Sequence, residues 1–259
     1  MSRSFRLSCL IPVLAAAVAV PSSAAILGLP GSTWGEATRD ADNFEGWGSQ
    51  GNVKQGVDWL KLPGGHVLDT YIGASWRFRD QHTFYYDAWS PLAGAAISRS
   101  FYTIGAEYSH TRYTELGQTA DQMTAYVSVY QDWCASDSSS RLFGLPVHGY
   151  PGDVWGRLTH TFDGYEGTGS QGHVNQGIRW LYLPGGVGVS TIAEYRWQLR
   201  ALNNTYYDEH GPALGVELRR DGLRAGAQYY WQFLPALAQR HTTLYFYAGW
   251  YLAWDLHRR

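Results

Sequence analysis

Charged side chains at alternate positions are the residues of this sequence that could do chemistry. Guanidinium groups stay charged at any working pH and bind carboxylates or phosphates through paired hydrogen bonds. The candidate residues are Arg77, Arg79, Asp58, Asp69, Glu107, Arg179, Glu194, Arg196, Arg200, Glu217, Arg219 and Arg224. They predict a basic-leaning surface that attracts small anionic solutes. The carboxylates, Glu194 and Glu217 among them, could neutralise part of that surface.

Most of these residues belong to a stretch that occurs twice. Residues 52–79 return at 173–200, an offset of 121. The alignment holds without a gap from 30–133 to 151–254, with 38 identities in 104 pairs. Such repetition indicates two tandem copies of one structural unit. The predicted division of the chain is a signal peptide at 1–25, a first repeat at 26–134, a linker at 135–150 and a second repeat at 151–259.

Apolar and polar residues alternate along the repeat, which predicts strands with one apolar and one polar face. In residues 68–79 the even positions, such as Ile72 and Trp76, are mostly apolar, and the odd positions include Asp69, Arg77 and Arg79. Each copy divides into six such segments, in the first copy 33–41, 53–62, 66–79, 91–99, 102–114 and 123–133. Twelve strands follow, or ten if the weak segment 33–41 merges with its successor.

The beginning of the chain predicts export. Arg3 and Arg6 precede an apolar run at residues 7–20 and a small-residue end at 21–25, which is the pattern of a secretory signal peptide. Its removal would leave Cys134 as the single thiol, so no intrachain disulfide and no cysteine-based zinc site is expected. The net charge of −2 gives no electrostatic reason to bind nucleic acid.

Catalytic and cofactor motifs are missing from the sequence. There is no Gly-x-Ser-x-Gly nucleophile motif and no His-Glu-x-x-His metal motif. Nine His residues are scattered, and no aligned pair keeps His in both copies. We therefore expect neither an enzyme, nor a cofactor, nor a metal site. A barrel hydrolase with a Ser–His pair at its rim stays as an alternative, because such pairs are assembled in space.

The breaks between segments alternate in kind. Tight turns at 63–65 and 99–101, with their counterparts at 184–186 and 220–222, alternate with longer breaks such as 43–51 and 80–90. Short and long connections therefore fall at opposite ends of the sheet, as in membrane barrels. With the signal peptide and the alternating strands, the mature chain resembles a Gram-negative outer-membrane β-barrel. The resemblance implies an all-β, antiparallel transmembrane barrel in the bacterial outer membrane, in contact with its lipid.

The expected role is passive passage of small hydrophilic solutes, with anionic or sugar solutes preferred. The competing possibility for the lumen is that its charges pair and fill it, because small barrels are packed inside. The alternative for the whole chain is a periplasmic or secreted protein with two β domains that bind glycans. The sequence leaves the oligomeric state open.

Aromatic residues recur at matched positions of the two copies. Tyr85-Tyr86-Asp87 returns at residues 206–208, and its tyrosines favour an interfacial girdle over a sugar-stacking platform. Trp34 and Trp76 recur as Trp155 and Trp197. Their recurrence indicates a place either in the aromatic girdle at the membrane interface or in the packed core. The repeated Gly-Ser-Gln-Gly at 48–51 and 169–172 is predicted to be a turn.

Overall fold

The computed structural model describes residues 26–82, 86–135, 140–162, 166–205 and 207–256. The predicted signal peptide, residues 1–25, lies outside this part of the chain, as do Tyr85 and Tyr206 of the repeated aromatic motif. Within the described ranges no helix is long and apolar enough to cross a membrane.

The described residues form fourteen strands. They are β1 (Pro30–Asp40), β2 (Trp47–Leu62), β3 (His66–Arg79), β4 (Ala88–Arg99), β5 (Tyr102–Tyr113), β6 (Gln118–Ala135), β7 (Arg141–Leu142), β8 (Leu145–Pro146), β9 (Tyr150–Thr161), β10 (Thr168–Leu183), β11 (Val187–Arg200), β12 (Glu209–Arg220), β13 (Leu223–Leu234) and β14 (Gln239–Asp255). Twelve of them close into one antiparallel barrel, and β7 and β8 form a small hairpin in the linker. The prediction of an all-β barrel with twelve strands is confirmed.

Closure of the barrel depends on two junctions between the halves. Strand β1 pairs with β14 from Pro30 opposite Asp255 to Asp40 opposite Tyr245. Strand β6 pairs with β9 along a comparable length. Because every barrel strand has a partner on both sides, no edge is left with unpaired backbone groups. The two halves form one continuous sheet, so the alternative of two separate β domains does not describe this fold.

The two ends of the barrel differ in their connections, as the sequence predicts. At one end, here called the turn end, β2–β3, β4–β5, β10–β11 and β12–β13 are joined by tight turns. Gly64 and Gly65 of the first turn have φ of 77° and 79°, a region that only glycine enters without strain. The opposite end, here called the loop end, carries the longer connections, including residues 41–46, 162–167 and 201–208.

The two faces of the strands are also as predicted. Ile72 is 67% exposed on the outer face, and Ala193 is exposed there too. Glu194, the next residue along β11, is buried in the interior. Exposed outward side chains are largely apolar, for example Leu214 and Phe246. This combination gives an apolar exterior around a polar interior.

The Gly-Ser-Gln-Gly motif is not a turn, and that prediction is wrong. Both copies lie inside strands, in β2 and β10. Gly51 stands directly opposite Trp76, and the Trp76 indole donates a hydrogen bond to Ser49 at 3.1 Å. A Cβ on Gly51 would lie 2.7 Å from that ring. The glycine therefore makes room for an indole that lies flat across the neighbouring strand, and Trp197 repeats the hydrogen bond with Ser170.

Candidate functional site

The interior of the barrel contains the predicted charged residues, and most of them are ion-paired there. The ion pairs are Arg77–Glu166, Arg79–Glu45, Lys54–Glu107, Arg157–Glu107, Arg196–Glu194, Arg196–Glu36, Arg200–Glu166, Arg219–Glu217, Arg219–Asp153 and Arg224–Glu36. Asp69 instead accepts a hydrogen bond from Ser98, and Arg179 donates one to Tyr182 at the turn end. Asp58 lies at the turn end too, beside the chain segment at Gly28.

The second half of the interior, bounded by β10–β14, is filled by one cross-linked network. Glu36 from β1 reaches across to Arg224 at 2.9 Å and to Arg196 at 3.9 Å. Arg196 also pairs with Glu194 at 3.0 Å, and Gln228 donates to the same carboxylate at 2.6 Å. The predicted basic wall is thus neutralised by carboxylates at the place where it forms.

A second cluster continues this network toward the turn end. Arg219 pairs with Glu217 at 3.2 Å and with Asp153 at 3.0 Å. Asp153 also accepts from His173 at 2.5 Å, and Tyr247 donates to Glu217 at 2.9 Å. Every charged group in this cluster has a partner of opposite charge or a hydrogen-bonding partner, as buried charges require.

The first half of the interior, bounded by β2–β6, has a smaller cluster centred on one carboxylate. Glu107 pairs with Arg157 at 2.5 Å and with Lys54 at 3.2 Å. Tyr71 donates to Glu107 at 2.9 Å and to Tyr126 at 2.8 Å. Lys54 and Arg157 were not among the twelve predicted residues, although their place on the polar faces of β2 and β9 was a usable signal.

Two tryptophans meet across the interior between the halves. Trp34 on β1 and Trp155 on β9 have ring centroids 5.8 Å apart, although five strands lie between β1 and β9 around the barrel in either direction. Such an approach requires the barrel to be narrow along this direction. The indole pair therefore divides the interior into a first-half and a second-half compartment.

Two cavities lie mainly on the first-half side of the indole pair, and strands β9, β10, β11 and β14 also contribute to their linings. One, of about 600 Å³, opens at the turn end, and the other, of about 160 Å³, extends toward the loop end. They share Trp34, Asn52, Arg157 and Gln171 as lining residues. Together they trace a path along one side of the barrel, here called the conduit.

The conduit includes five of the twelve predicted residues. The smaller cavity is lined by Arg77, Glu107 and Arg200, and the larger one by Asp58 and Asp69. The other seven predicted residues line neither cavity: Arg79, Arg179, Glu194, Arg196, Glu217, Arg219 and Arg224. Arg196, Arg219 and Arg224 of the predicted basic wall are each paired with carboxylates, Glu194 and Glu217 among them, on the same, neighbouring or opposite strands.

At the loop end a glutamate from a connection is inserted between two arginines. Glu166 Oε1 accepts from Arg77 at 2.8 Å, from Arg200 at 2.9 Å and from Tyr113 at 3.0 Å. Burial alone would favour the neutral acid, but the two guanidinium charges outweigh it and lower the pKa of Glu166 below its usual value. The group therefore sits there as a carboxylate.

The repeated tyrosines belong to this loop-end cluster, so their assignment to an interfacial girdle is wrong for Tyr86 and Tyr207. Arg200 lies 3.7 Å above the Tyr207 ring, and Arg79 lies 4.0 Å above the Tyr86 ring. The two rings are 6.2 Å apart inside the mouth of the barrel. Asp87 accepts the backbone N–H of Arg79 at 2.9 Å, which turns this segment inward.

The only cluster with metal-ligand spacing among the described residues comprises Asp40, Asp42 and His241. The two carboxylate oxygens of Asp40 already accept the backbone N–H groups of Glu45 and Gly46. Asp42 is 2.8 Å from His241 and accepts from a threonine. These partners give the cluster a structural explanation as a brace for the connection at 41–46.

No protein-family model matches this sequence, and no curated protein matches it as a relative. Among solved structures, the β domain of the Bordetella autotransporter BrkA matches 86% of this chain and 97% of its own, at 15% identity and a TM-score of 0.36. A bacterial polysaccharide outer-membrane secretin matches 89% of this chain and 99% of its own, at 11% identity and a TM-score of 0.36. An outer-membrane channel from Pseudomonas putida F1 matches 90% of this chain and 98% of its own, at 9% identity and a TM-score of 0.36. At these identities and TM-scores the likenesses carry no argument about activity. The resemblance to outer-membrane β-barrels is confirmed at the level of fold, by the closed twelve-stranded barrel itself.

Proposed function

We propose that this chain is an outer-membrane barrel that conducts small hydrophilic solutes along the first-half compartment. The observation that carries the proposal is the conduit, two cavities that share lining residues, have charged side chains in their linings and lie inside a barrel with an apolar exterior. The second half acts as a rigid packed wall. The proposal needs no catalytic residue, cofactor or metal.

The apolar exterior supports a place in the membrane. A barrel strand needs about 9–11 residues to span the hydrocarbon core, and the strands of this barrel have 11 to 18 residues. Exposed outward side chains at mid-strand, such as Ile72 and Leu214, would be costly in water as a continuous belt. In lipid the same belt is the stabilising surface.

The charges that line the conduit support a mild preference for anions. Five basic and four acidic side chains line the two cavities: Lys54, Arg77, Arg99, Arg157 and Arg200 against Asp58, Asp69, Glu107 and Glu166. The balance is small, and Glu107 and Glu166 are already held by cations. We therefore infer a narrow, slightly anion-selective path rather than a wide one.

The test is conductance of the purified, folded protein in planar bilayers. We expect small single-channel steps in the unmodified chain and larger steps in Trp34→Ala, because removal of one indole opens the partition between the compartments. Trp89→Ala is the matched control, since Trp89 is 41% exposed on the outer face and lines neither cavity. Absence of conductance in both the unmodified chain and Trp34→Ala, with folding verified by a heat-dependent gel shift, would refute the proposal.

A further inference from the structure

The Glu166 site at the loop end has the form of a receptor for a carboxylate. Three donors from three different strands converge on one oxygen atom: Arg77 from β3, Arg200 from β11 and Tyr113 from β5. The Tyr207 ring lies beneath both guanidinium groups, at 3.7 Å from that of Arg200 and 5.2 Å from that of Arg77. An aromatic face fixes guanidinium groups in plane and limits their hydration.

The carboxylate in this site comes from a connection and not from the barrel wall. Glu166 lies between β9, which ends at Thr161, and β10, which begins at Thr168. Its side chain is about a fifth exposed, whereas that of Arg200 is only 2% exposed. The arginines are thus part of the rigid wall, and their anionic partner is delivered from the loop end, the side from which an external solute would enter.

The matched position in the other half shows what this site requires. Glu45 stands 121 residues before Glu166 and is also inserted at the loop end. Its nearest cation, Arg79, is 3.5 Å away, and its short hydrogen bond comes from Gln232 at 2.6 Å. Gln232 also donates to Glu209, so a second carboxylate lies close to Glu45. That site has one guanidinium and a second carboxyl group, and it suits an external anion poorly.

We propose that Arg77, Arg200 and Tyr113 form a binding site for the carboxylate of an acidic solute, such as a uronic acid, and that Glu166 occupies it as a tethered competitor. This inference rests on the proposed conduit, because Arg77, Arg200 and Glu166 line its loop-end cavity. A group tethered through a few residues acts at an effective concentration on the order of millimolar. An entering solute therefore binds weakly, exchanges with Glu166 and is released quickly, as passage requires.

The test measures the binding of a solute to the protein independently of its passage through the barrel. Isothermal titration of the detergent-solubilised protein with D-glucuronate, and with D-glucose as the neutral counterpart, compares the unmodified chain with Glu166→Gln. We expect Glu166→Gln to bind glucuronate about tenfold more tightly or better, with no gain for glucose. Adding Arg200→Gln to that variant should abolish the gain. Glu45→Gln is the matched control and should leave the affinity for glucuronate unchanged.

Several outcomes would overturn the proposal. An equal affinity for glucuronate in Glu166→Gln and the unmodified chain would do so, as would the same gain in Glu45→Gln or for glucose. If Glu166→Gln does not fold, Glu166→Asp keeps the charge on a shorter side chain and should give a partial gain, and no gain there counts against the site. Binding without conductance would refute the conduit alone, and conductance without binding would refute the carboxylate site alone.

Discussion

The two halves of the barrel share their architecture but differ in how their interiors are filled. At the loop end they match: Asp87 accepts the backbone N–H of Arg79, and Asp208 accepts that of Arg200. In the middle they diverge. The first half has glycine and serine at positions 73 and 75, where the second half has Glu194 and Arg196.

This difference shows how two halves with the same strand architecture can have a filled interior in one half and cavities in the other. Substituting charged pairs for small residues fills a compartment, because each new cation is given a carboxylate within reach. Ala96 and Ser98 of the first half likewise correspond to Glu217 and Arg219 of the second. The larger cavity lies on the side that kept the small residues, and Ala96 and Ser98 both line it. The internal duplication itself stays a prediction, supported by the recurrence of hydrogen bonds at the offset of 121.

The strongest test of the comparison removes the central carboxylate of each half. Glu194→Ala should cost about 3–5 kcal/mol of unfolding free energy, because it leaves Arg196 and its neighbours buried with too little negative charge. Glu107→Ala should cost less, since Glu107 borders the smaller cavity and Lys54 and Arg157 border the larger one, where water can hydrate both cations. Urea unfolding in lipid vesicles measures both. Equal losses would contradict the picture of one filled and one hollow half.

A second test sets the outer face against the inner face of the first half. Ile72→Arg, near the middle of β3, should cost about 2–4 kcal/mol if it faces lipid at mid-depth. Ser75→Arg copies the residue of the second half, Arg196, onto the inner face and should be milder. Gly73 is a poor control because a Cβ there would lie 2.3 Å from the Val53 carbonyl oxygen. Folding yield and urea unfolding in vesicles decide the matter, and a neutral Ile72→Arg would argue against the membrane.

A third test asks whether Asp87 and Asp208, which accept backbone N–H groups at the loop end, make equivalent contributions to stability. Burial raises the pKa of Asp87 from its ordinary 3.8 to about 6, more than its bond to Arg79 lowers it. Between these two pKa values the folded state keeps the Asp87 proton, whereas the unfolded state releases it. The contribution of Asp87 to the free energy of unfolding is therefore fully present below about pH 4 and is lost as the pH rises through about 6. It amounts to at most about 3 kcal/mol. Asp87→Asn should flatten that part of the profile.

The matched variant of that experiment is Asp208→Asn. Burial raises the pKa of Asp208 as well, so its effect should have the same sign. The informative quantity is the unfolding free energy of each variant minus that of the unmodified chain, from pH 3.5 to 7. A slope of opposite sign in either difference profile would show that the two aspartates are not equivalent.

The smallest expected effect concerns ion selectivity. Lys54→Gln should shift the reversal potential under a salt gradient modestly toward cations, because Lys54 lines the larger cavity. The effect should be small because the Lys54 ammonium is already paired with Glu107 at 3.2 Å. Arg224→Ser in the filled half should leave the potential nearly unchanged. A larger shift from Arg224→Ser than from Lys54→Gln would place the conducting path in the second half instead.

The sequence by itself determined the barrel. Alternation with a period of two fixes which residues share a face, and β3 begins and ends where the sequence predicted, from His66 to Arg79. The tight turns follow from local chemistry, since Gly64 and Gly65 adopt backbone angles that other residues avoid. These are short-range properties, so one chain segment suffices to predict them.

Motifs were predicted less well when their partners lay on another strand. The glycine at position 51 looks like a turn signal, but the reason for it is Trp76, which is 25 residues away and directly opposite across the sheet. Tyr86 and Tyr207 have girdle-like positions, but guanidinium groups from the barrel wall draw them inside. In both cases the local signal was real, and its meaning depended on a neighbour that the linear sequence does not name.

The distribution of charge inside the barrel was decided only by the tertiary structure. The sequence places Glu36, Arg196 and Arg224 on polar faces, but it cannot tell that three strands meet so that one carboxylate serves two arginines. Those distances depend on the register of every intervening strand and on how narrow the barrel is between Trp34 and Trp155. Residue types determine which groups face inward. Closure of the sheet determines which charges meet, because Coulomb interactions fall with a separation that exists only in the folded barrel.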